Sequence, residues 1–269
     1  MAQNDTVFAG SIPQFYDQKL GALLFRPFAS DIAARLGALA SGRVLETAAG
    51  TGLVTSELAA RLPDTVEIVA TDLNQPMLDY AAAKSGLQRV TWRQADAQAL
   101  PFADASFEAV VCQFGVMFFP DRIQGFREAV RVLKPGGRFL FNVWDRIATS
   151  PVMAVAVEAL ARRYPQQKSW FLERTPCGYH DPSLIRADLE AAGFAEAEIE
   201  IVKRDGHLSL ALDAAIGLCQ GSPMRGEIEQ VDAAGLEAAT RDVAAMIAQR
   251  CGAGPAPTPL QALFVEAVK

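Results

Sequence analysis

The sequence predicts an α/β fold: a mostly parallel sheet with helices on both faces. Three observations predict it. Short apolar runs alternate with segments of helical period, a glycine-containing loop of small residues follows the first such run, and an acidic residue closes the second. Alternation of this kind calls for right-handed crossovers, which set neighbouring strands parallel and cover both faces of the sheet. At 269 residues, 51% hydrophobic and 21% charged, the chain can bury a sizeable core and has a globular composition.

The elements follow in order. Phe28, Ile32, Leu36 and Leu39 share one helical face and Pro27 suits a first turn, so residues 1–40 are expected as a helical N-terminal cap. Val44-Leu45 is the first strand, and the helix after the glycines carries Leu53, Val54, Leu58 and Leu62. Strands are expected at Val66 to Thr71, Val90 to Gln94 and Phe107 to Gln113, with a helix from Gln75 to Ala83. A helix bearing Ile123, Phe126, Val130 and Leu133 comes next, opened by a capping box of Asp121 and Gln124. Lys134-Pro135-Gly136-Gly137 reads as a stop before a strand from Arg138 to Trp144, which completes a core at about 41–145.

In the C-terminal part, 146–269, Ser150-Pro151 opens a helix through Ala161, Asp181-Pro182 opens one ending near Gly193, and Glu198 to Lys203 is a strand. About 205–259 reads as a helical insertion with two patterns, one from Leu210 to Cys219 and one holding Ile228, Val231, Val243 and Ile247. Gly252 to Pro259 then reads as a loop, and Leu263 to Val268 as the last strand of a single domain, 1–269.

Composition excludes several function classes. A net charge of -6 with no basic stripe argues against nucleic acid as a partner. Met1 to Gly10 lacks a basic start and an apolar run, and Ala109 to Phe119 is shorter than the ~20 residues a membrane span needs, so a cytoplasmic protein without a membrane span is expected. Cys112, Cys177, Cys219 and Cys251 lie far apart, and His180 and His207 are the only histidines, so no metal site is expected.

The chemistry concentrates at strand ends. Glu46-Thr47-Ala48-Ala49-Gly50-Thr51-Gly52 follows the first strand and opens a helix, so a ligand can approach the backbone there. Asp72 ends the second strand, 22 positions after Gly50, where a carboxylate can accept hydrogen bonds from two ribose hydroxyls. Asp96-Ala97 follows the third strand, placed to present a carboxylate and an N–H to an adenine edge, and Gln113 ends the fourth beside the same crevice. A nicotinamide-dependent oxidoreductase is the rival reading, but its fingerprint wants a small third residue where Thr55 stands.

These stretches, with Ala70-Thr71-Asp72-Leu73-Asn74, Asp96 to Phe102, Ser106-Phe107-Glu108-Ala109-Val110 and Leu133 to Gly137, resemble the class I S-adenosylmethionine-dependent methyltransferases. The group of the ubiquinone and menaquinone C-methyltransferases is especially similar, over about Val44 to Trp144. The resemblance implies a Rossmann-like seven-stranded sheet ending in an antiparallel hairpin, with S-adenosylmethionine as cofactor and S-adenosylhomocysteine as product. It implies that Glu46, Ala48, Gly50 and Gly52 surround the methionine moiety, Asp72 and Leu73 the ribose, and Asp96 and Ala97 the adenine, with Met77 covering an adenine face. The family usually has glycine where Ala48 stands and cysteine or a small residue where Ala49 stands.

A small, fairly apolar acceptor methylated at oxygen or carbon is then expected, with the C-terminal part on the acceptor side. Tyr16 of the cap is a candidate to face the sulfonium or close the site, against a plain packing role. Phe114, Met117, Phe118 and Phe119 either line an acceptor pocket or pack the core, and His180 is a weak candidate base. The remaining alternative is a non-catalytic relative that binds the cofactor as a ligand.

Overall fold

The computed structural model describes residues 12–37 and 39–269; the N-terminal stretch read above for a targeting signal lies outside them. In chain order the elements are α1 (Ile12–Phe15), a π-helical stretch (Tyr16–Phe25), α2 (Arg26–Leu36), β1 (Gly42–Glu46), α3 (Leu53–Arg61), β2 (Val66–Asp72) and α4 (Gln75–Ala82). Then come β3 (Thr91–Gln94), β4 (Phe107–Gln113), α5 (Arg122–Val132), β5 (Leu133–Trp144), α6 (Pro151–Arg163), α7 (Phe171–Arg174) and α8 (Pro182–Ala192). The last are β6 (Glu196–Leu208), α9 (Ala211–Gln220), α10 (Met224–Val231), α11 (Leu236–Cys251) and β7 (Ala256–Val268).

The strands form one seven-stranded sheet in the order β3-β2-β1-β4-β5-β7-β6, the Rossmann-like, mostly parallel architecture that the alternation predicts. The pairs β2/β3, β1/β2, β1/β4 and β4/β5 are parallel. β7 runs antiparallel to β5, since Lys269 meets Gly136 while Gln261 meets Asp145. Chain contacts divide the protein into two compact units. Unit 1 comprises residues up to Pro27, Trp144–Gly178 and Lys203–Gln261, and unit 2 comprises Phe28–Val143, Tyr179–Val202 and Ala262–Lys269.

Unit 2 carries most of the sheet. Val44, Leu45, Val110 and Val111 at its centre are fully buried, as near-continuous apolar strands covered on both faces must be. Behind β5, Phe126 stacks on Phe141 at 5.5 Å and Phe139 on Phe194 at 5.8 Å, which loads α5 and the end of α8 onto the sheet. Truncating such a ring costs about 3–5 kcal/mol. Arg138 of β5 donates to the carbonyls of Leu36 (3.0 Å) and Arg35 (2.9 Å), satisfying the open end of α2.

Two local expectations change in this unit. Asp121 caps α5 by accepting from the Gln124 N–H at 2.9 Å, but the Gln124 amide donates to the Gln98 carbonyl at 3.1 Å, so only half of the capping box forms. Lys134-Pro135-Gly136-Gly137 is no stop: β5 already begins at Leu133, opposite Phe107, and the turn is absorbed as a register shift before Arg138 pairs with Ala109. The Gly136 N–H is taken by the Lys269 carbonyl, which supplies the ladder partner that the sequence conceals.

In unit 1 the π-helical stretch, α6, α9 and α11 bury one another, and Lys19 pairs with Asp213 at 2.6 Å. Pro27 lies in the first turn of α2, as expected, although the helical path runs on without a break from Ile12 to Leu36. A proline cannot donate to the carbonyl four residues back, here that of Leu23, and that oxygen lies against Gly206, where a side chain would collide with it. Between β6 and β7 stand three helices rather than two, since the second expected pattern breaks at residues 232–235. β7 starts at Ala256, inside the expected loop, with Pro257 and Pro259 exposed where strand prolines are tolerated. An open cavity of about 550 Å³ in this unit is lined by Thr149, Lys203, Arg204, Asp205 and residues Pro259, Leu260 and Gln261. Among the described residues, no helix is long and apolar enough to cross a membrane.

Candidate functional site

The sheet order places the carboxyl ends of β3, β2, β1 and β4 side by side, with Glu46 in register with Ala70 and Val111 and Asp72 with Gln94. In open α/β sheets ligands bind outside such ends, where the strand order reverses, here between β1 and β4. The loop after β1 is tied to both neighbours: the Thr47 N–H donates to Val111 O and the Ala49 N–H to Thr71 O, each at 2.9 Å. Three of its residues are left-handed, Ala48 at φ 52°, Gly50 at 56° and Gly52 at 76°. Gly52 is obligatory twice over, because a side chain there would also stand 3.1 Å from Ala81 Cβ and Trp92. Ala48 holds a conformation that costs a non-glycine residue about 1 kcal/mol, which is the physical reason glycine suits this position.

Two buried carboxyl groups frame the loop. Asp72, 7% exposed, accepts from the Gly50 N–H (2.8 Å) with one oxygen and from the Asn74 N–H (2.8 Å) with the other. Burial nevertheless holds its carboxyl above the usual carboxylate range, against the lowering effect of those donors. Glu46, 2% exposed, accepts from the Thr55 hydroxyl at 2.6 Å. Burial first, with the Asp72 charge adding to it, pushes its carboxyl up to about 8. Thr55, which sequence reasoning used only to exclude a nicotinamide fingerprint, is thus the partner of Glu46. Met77 is buried with its terminal methyl turned toward Gly50, 3.6 Å from where a side chain on that glycine would begin.

Beside this cluster the other predicted residues fall at neighbouring strand ends. Leu73 is 50% exposed and apolar, and its carbonyl accepts from the Gln94 amide at 2.8 Å. The Ala95 N–H donates to Asp72 O at 3.0 Å, so Asp96 and the half-buried Ala97 start two residues beyond the partner of Asp72. Asp96 is exposed, and its carboxylate caps its own turn by accepting from the Gln98 N–H at 2.9 Å. Gln113 ends β4, in register with Asn142. His180 is half-buried just before α8, while its neighbour Tyr179 is buried with its hydroxyl on Asp188 at 2.8 Å and Arg122 over its ring at 4.3 Å. Tyr16 belongs to unit 1, where its ring stacks on Phe25 at 4.7 Å. Phe114, Met117 and Phe119 are buried in packing, Phe114 edge-on to Phe28 at 5.3 Å; Phe118 is half-buried.

Sequence reasoning missed the device that holds the Asp96 loop. Glu128 of α5 accepts from the Leu100 N–H at 2.6 Å, and Arg131, one turn on, donates to Leu100 O (2.8 Å) and Phe102 O (2.7 Å). The two side chains also pair at 2.7 Å, so one ion pair grips both polar groups of a single peptide residue. The spacing of three on a helix was visible, but its target lies 28 positions upstream.

Residues 45–141 match the family described as methyltransferase domain. A demethylmenaquinone methyltransferase of Deinococcus radiodurans is 48% identical over 100 residues, 36% of this chain and 41% of that protein, so the chain spans less than half of that relative. A ubiquinone/menaquinone biosynthesis C-methyltransferase of Caulobacter vibrioides is 33% identical over 183 residues, covering 61% of this chain and 71% of that one. The chain belongs to the class I S-adenosylmethionine-dependent methyltransferase family. The methyltransferase fold extends beyond the matched stretch: Haemonchus contortus phosphoethanolamine N-methyltransferase 2, in complex with S-adenosyl-L-methionine, superposes with a TM-score of 0.59. That superposition covers 96% of this chain and 56% of the other at 19% identity, and so shows the fold alone.

Proposed function

We propose that the protein is a methyltransferase that binds S-adenosylmethionine at the carboxyl ends of β1 to β4 and methylates oxygen or carbon of a small, fairly apolar acceptor. The observation that carries the reading is the left-handed loop after β1, hydrogen-bonded through the Gly50 N–H to a buried acid at the end of β2. The residues fit such a ligand. Asp72 Oδ2 takes the Gly50 N–H, while Oδ1 takes Asn74 through both its N–H at 2.8 Å and its side-chain amide at 3.4 Å, so Oδ2 is the less committed acceptor for a ribose hydroxyl. Leu73 offers exposed apolar surface beside them for a flat base, and Asp96 with Ala97 stands at the next strand end for its polar edge. Glu46 and the backbone at Ala48, Gly50 and Gly52 would surround the amino-acid tail, with Met77 packed beneath Gly50 and Gln113 at the far wall.

When bound, the cofactor supplies an electrophilic sulfonium methyl and leaves as S-adenosylhomocysteine. The chain's task is then to hold the acceptor atom about 3 Å from that carbon, in line, and to exclude water. No strong base is required for an acidic acceptor; His180 is the candidate to take the proton of a less acidic hydroxyl. The fully buried Thr55 fills the space a third glycine would leave, which supports this reading over the nicotinamide one. Incubation with methyl-labelled cofactor and a panel of phenols and hydroxyquinones should move label into the organic extract. His180→Ala should lower kcat for the less acidic phenols while leaving cofactor affinity unchanged. Retention of all label in the cofactor across the panel, with the cofactor tightly bound, would instead favour the non-catalytic relative.

A further inference from the structure

We propose that Gly115 is a positioning residue for the cofactor loop, acting through the side chain of Ala48; the inference rests on the reading above. Gly115 follows the end of β4 and is buried. A side-chain carbon there would stand 2.5 Å from Ala48 Cβ and 2.6 Å from Cys112 Sγ, inside any real contact distance. The left-handed backbone at Ala48 is what aims its methyl at this spot, and the missing side chain at Gly115 is what admits it. The turn that carries Gly115 is itself held from β5: the preceding residue, Phe114, is left-handed at φ 49°, and its N–H donates to the Asn142 side-chain oxygen at 3.0 Å and the Asn142 carbonyl at 3.1 Å. Asn142 is buried, so this anchor is shielded from water. A line of fixed contacts therefore runs from β5 through the 114–115 turn to Ala48, and from there to the loop whose Gly50 N–H meets Asp72.

Physically, Ala48 and Gly115 are one packing unit. The alanine accepts backbone strain, and its methyl closes the gap that a glycine at 48 would leave against the second glycine. The pair sets how closely the loop lies against the end of β4, and so where its amides stand relative to the cofactor tail. A structural role alone would move stability; a positioning role moves cofactor affinity with it and leaves turnover at saturating cofactor untouched.

The test is a set of variants read by isothermal titration with S-adenosylmethionine and by steady-state kinetics. Gly115→Ala is expected to weaken cofactor binding about tenfold with acceptor KM and saturated kcat unchanged, contacting residues being coupled on this scale. Ala48→Gly/Gly115→Ala should recover most of that loss, because the colliding methyl is gone. Cys112→Ala/Gly115→Ala, which removes only the thiol, should not recover it. Where Gly115→Ala alone fails to fold, the cofactor affinities of the two double variants give the same comparison. Unchanged affinity in Gly115→Ala, or equal recovery by the Cys112 variant, overturns the proposal. Wild-type protein that binds no cofactor at all overturns instead the functional reading on which it stands.

Discussion

Asp72 and Asp96 end neighbouring paths in the same half of the sheet, yet the protein treats them oppositely. Asp72 is buried, takes a donor from the glycine loop on one oxygen and from Asn74 on the other, and is held above its usual proton affinity by lost solvation. Asp96 is exposed and spends its carboxylate on its own turn, while the loop around it is gripped from behind by Glu128 and Arg131. One acid is part of the loop's architecture; the other is carried by a loop whose position is fixed elsewhere. The contrast separates residues whose loss should collapse the site from residues whose loss should only loosen it.

The sharpest break is Asp72→Ala, which orphans the Gly50 and Asn74 N–H groups and removes the proposed ribose acceptor together. At about 1.5–3 kcal/mol per charge-assisted hydrogen bond, and tenfold per 1.4 kcal/mol, cofactor affinity should fall by about 100-fold or more in a calorimetric titration. Next comes the protonation of Glu46. Its folded carboxyl sits at about 8, above the ordinary 4.5, so the folded state keeps a proton that the unfolded chain releases. Stability should therefore decline as pH rises from the unfolded value through the folded one, by at most about 1.4 kcal/mol per pH unit from this group. Melting curves between pH 6 and 9 should show a smaller decline in Glu46→Gln than in wild type; identical slopes would remove Glu46 as the cause.

Arg131→Ala tests the clamp from the other side. It frees the carbonyls of Leu100 and Phe102, and a cofactor Kd about tenfold higher with unchanged saturated kcat is expected, roughly the effect of one or two hydrogen bonds. Smallest is Asp96→Asn, which keeps the turn's cap and loses one exposed charge; affinity should change by about threefold or less. Were Asp96→Asn to cost more than Asp72→Ala, the division between the two acids would be inverted.

The same contrast explains what could be read in advance. The loop from Glu46 to Gly52, Asp72 and the strands around them obey short-range rules, short apolar runs, left-handed positions and an acid at a strand end, so the fold and the clustering of these residues at the strand ends were legible. Thr55 as partner of Glu46, the clamp on Leu100 and the Gly115 contact depend on residues brought together by tertiary structure, and no local pattern announces them. The insertion misled for the opposite reason. Ile228 and Val243 fit one helical phase although the chain breaks between them, and Pro257 and Pro259 look like a loop although they occupy exposed positions of a strand.

The most direct test is titration of the purified wild-type protein with S-adenosylmethionine and, separately, with NAD(H). Saturable 1:1 binding of the sulfonium nucleoside and none of the dinucleotide is the expected result. Tight binding of the dinucleotide alone would contradict the central claim that the buried acid and the left-handed loop hold one adenosyl amino acid.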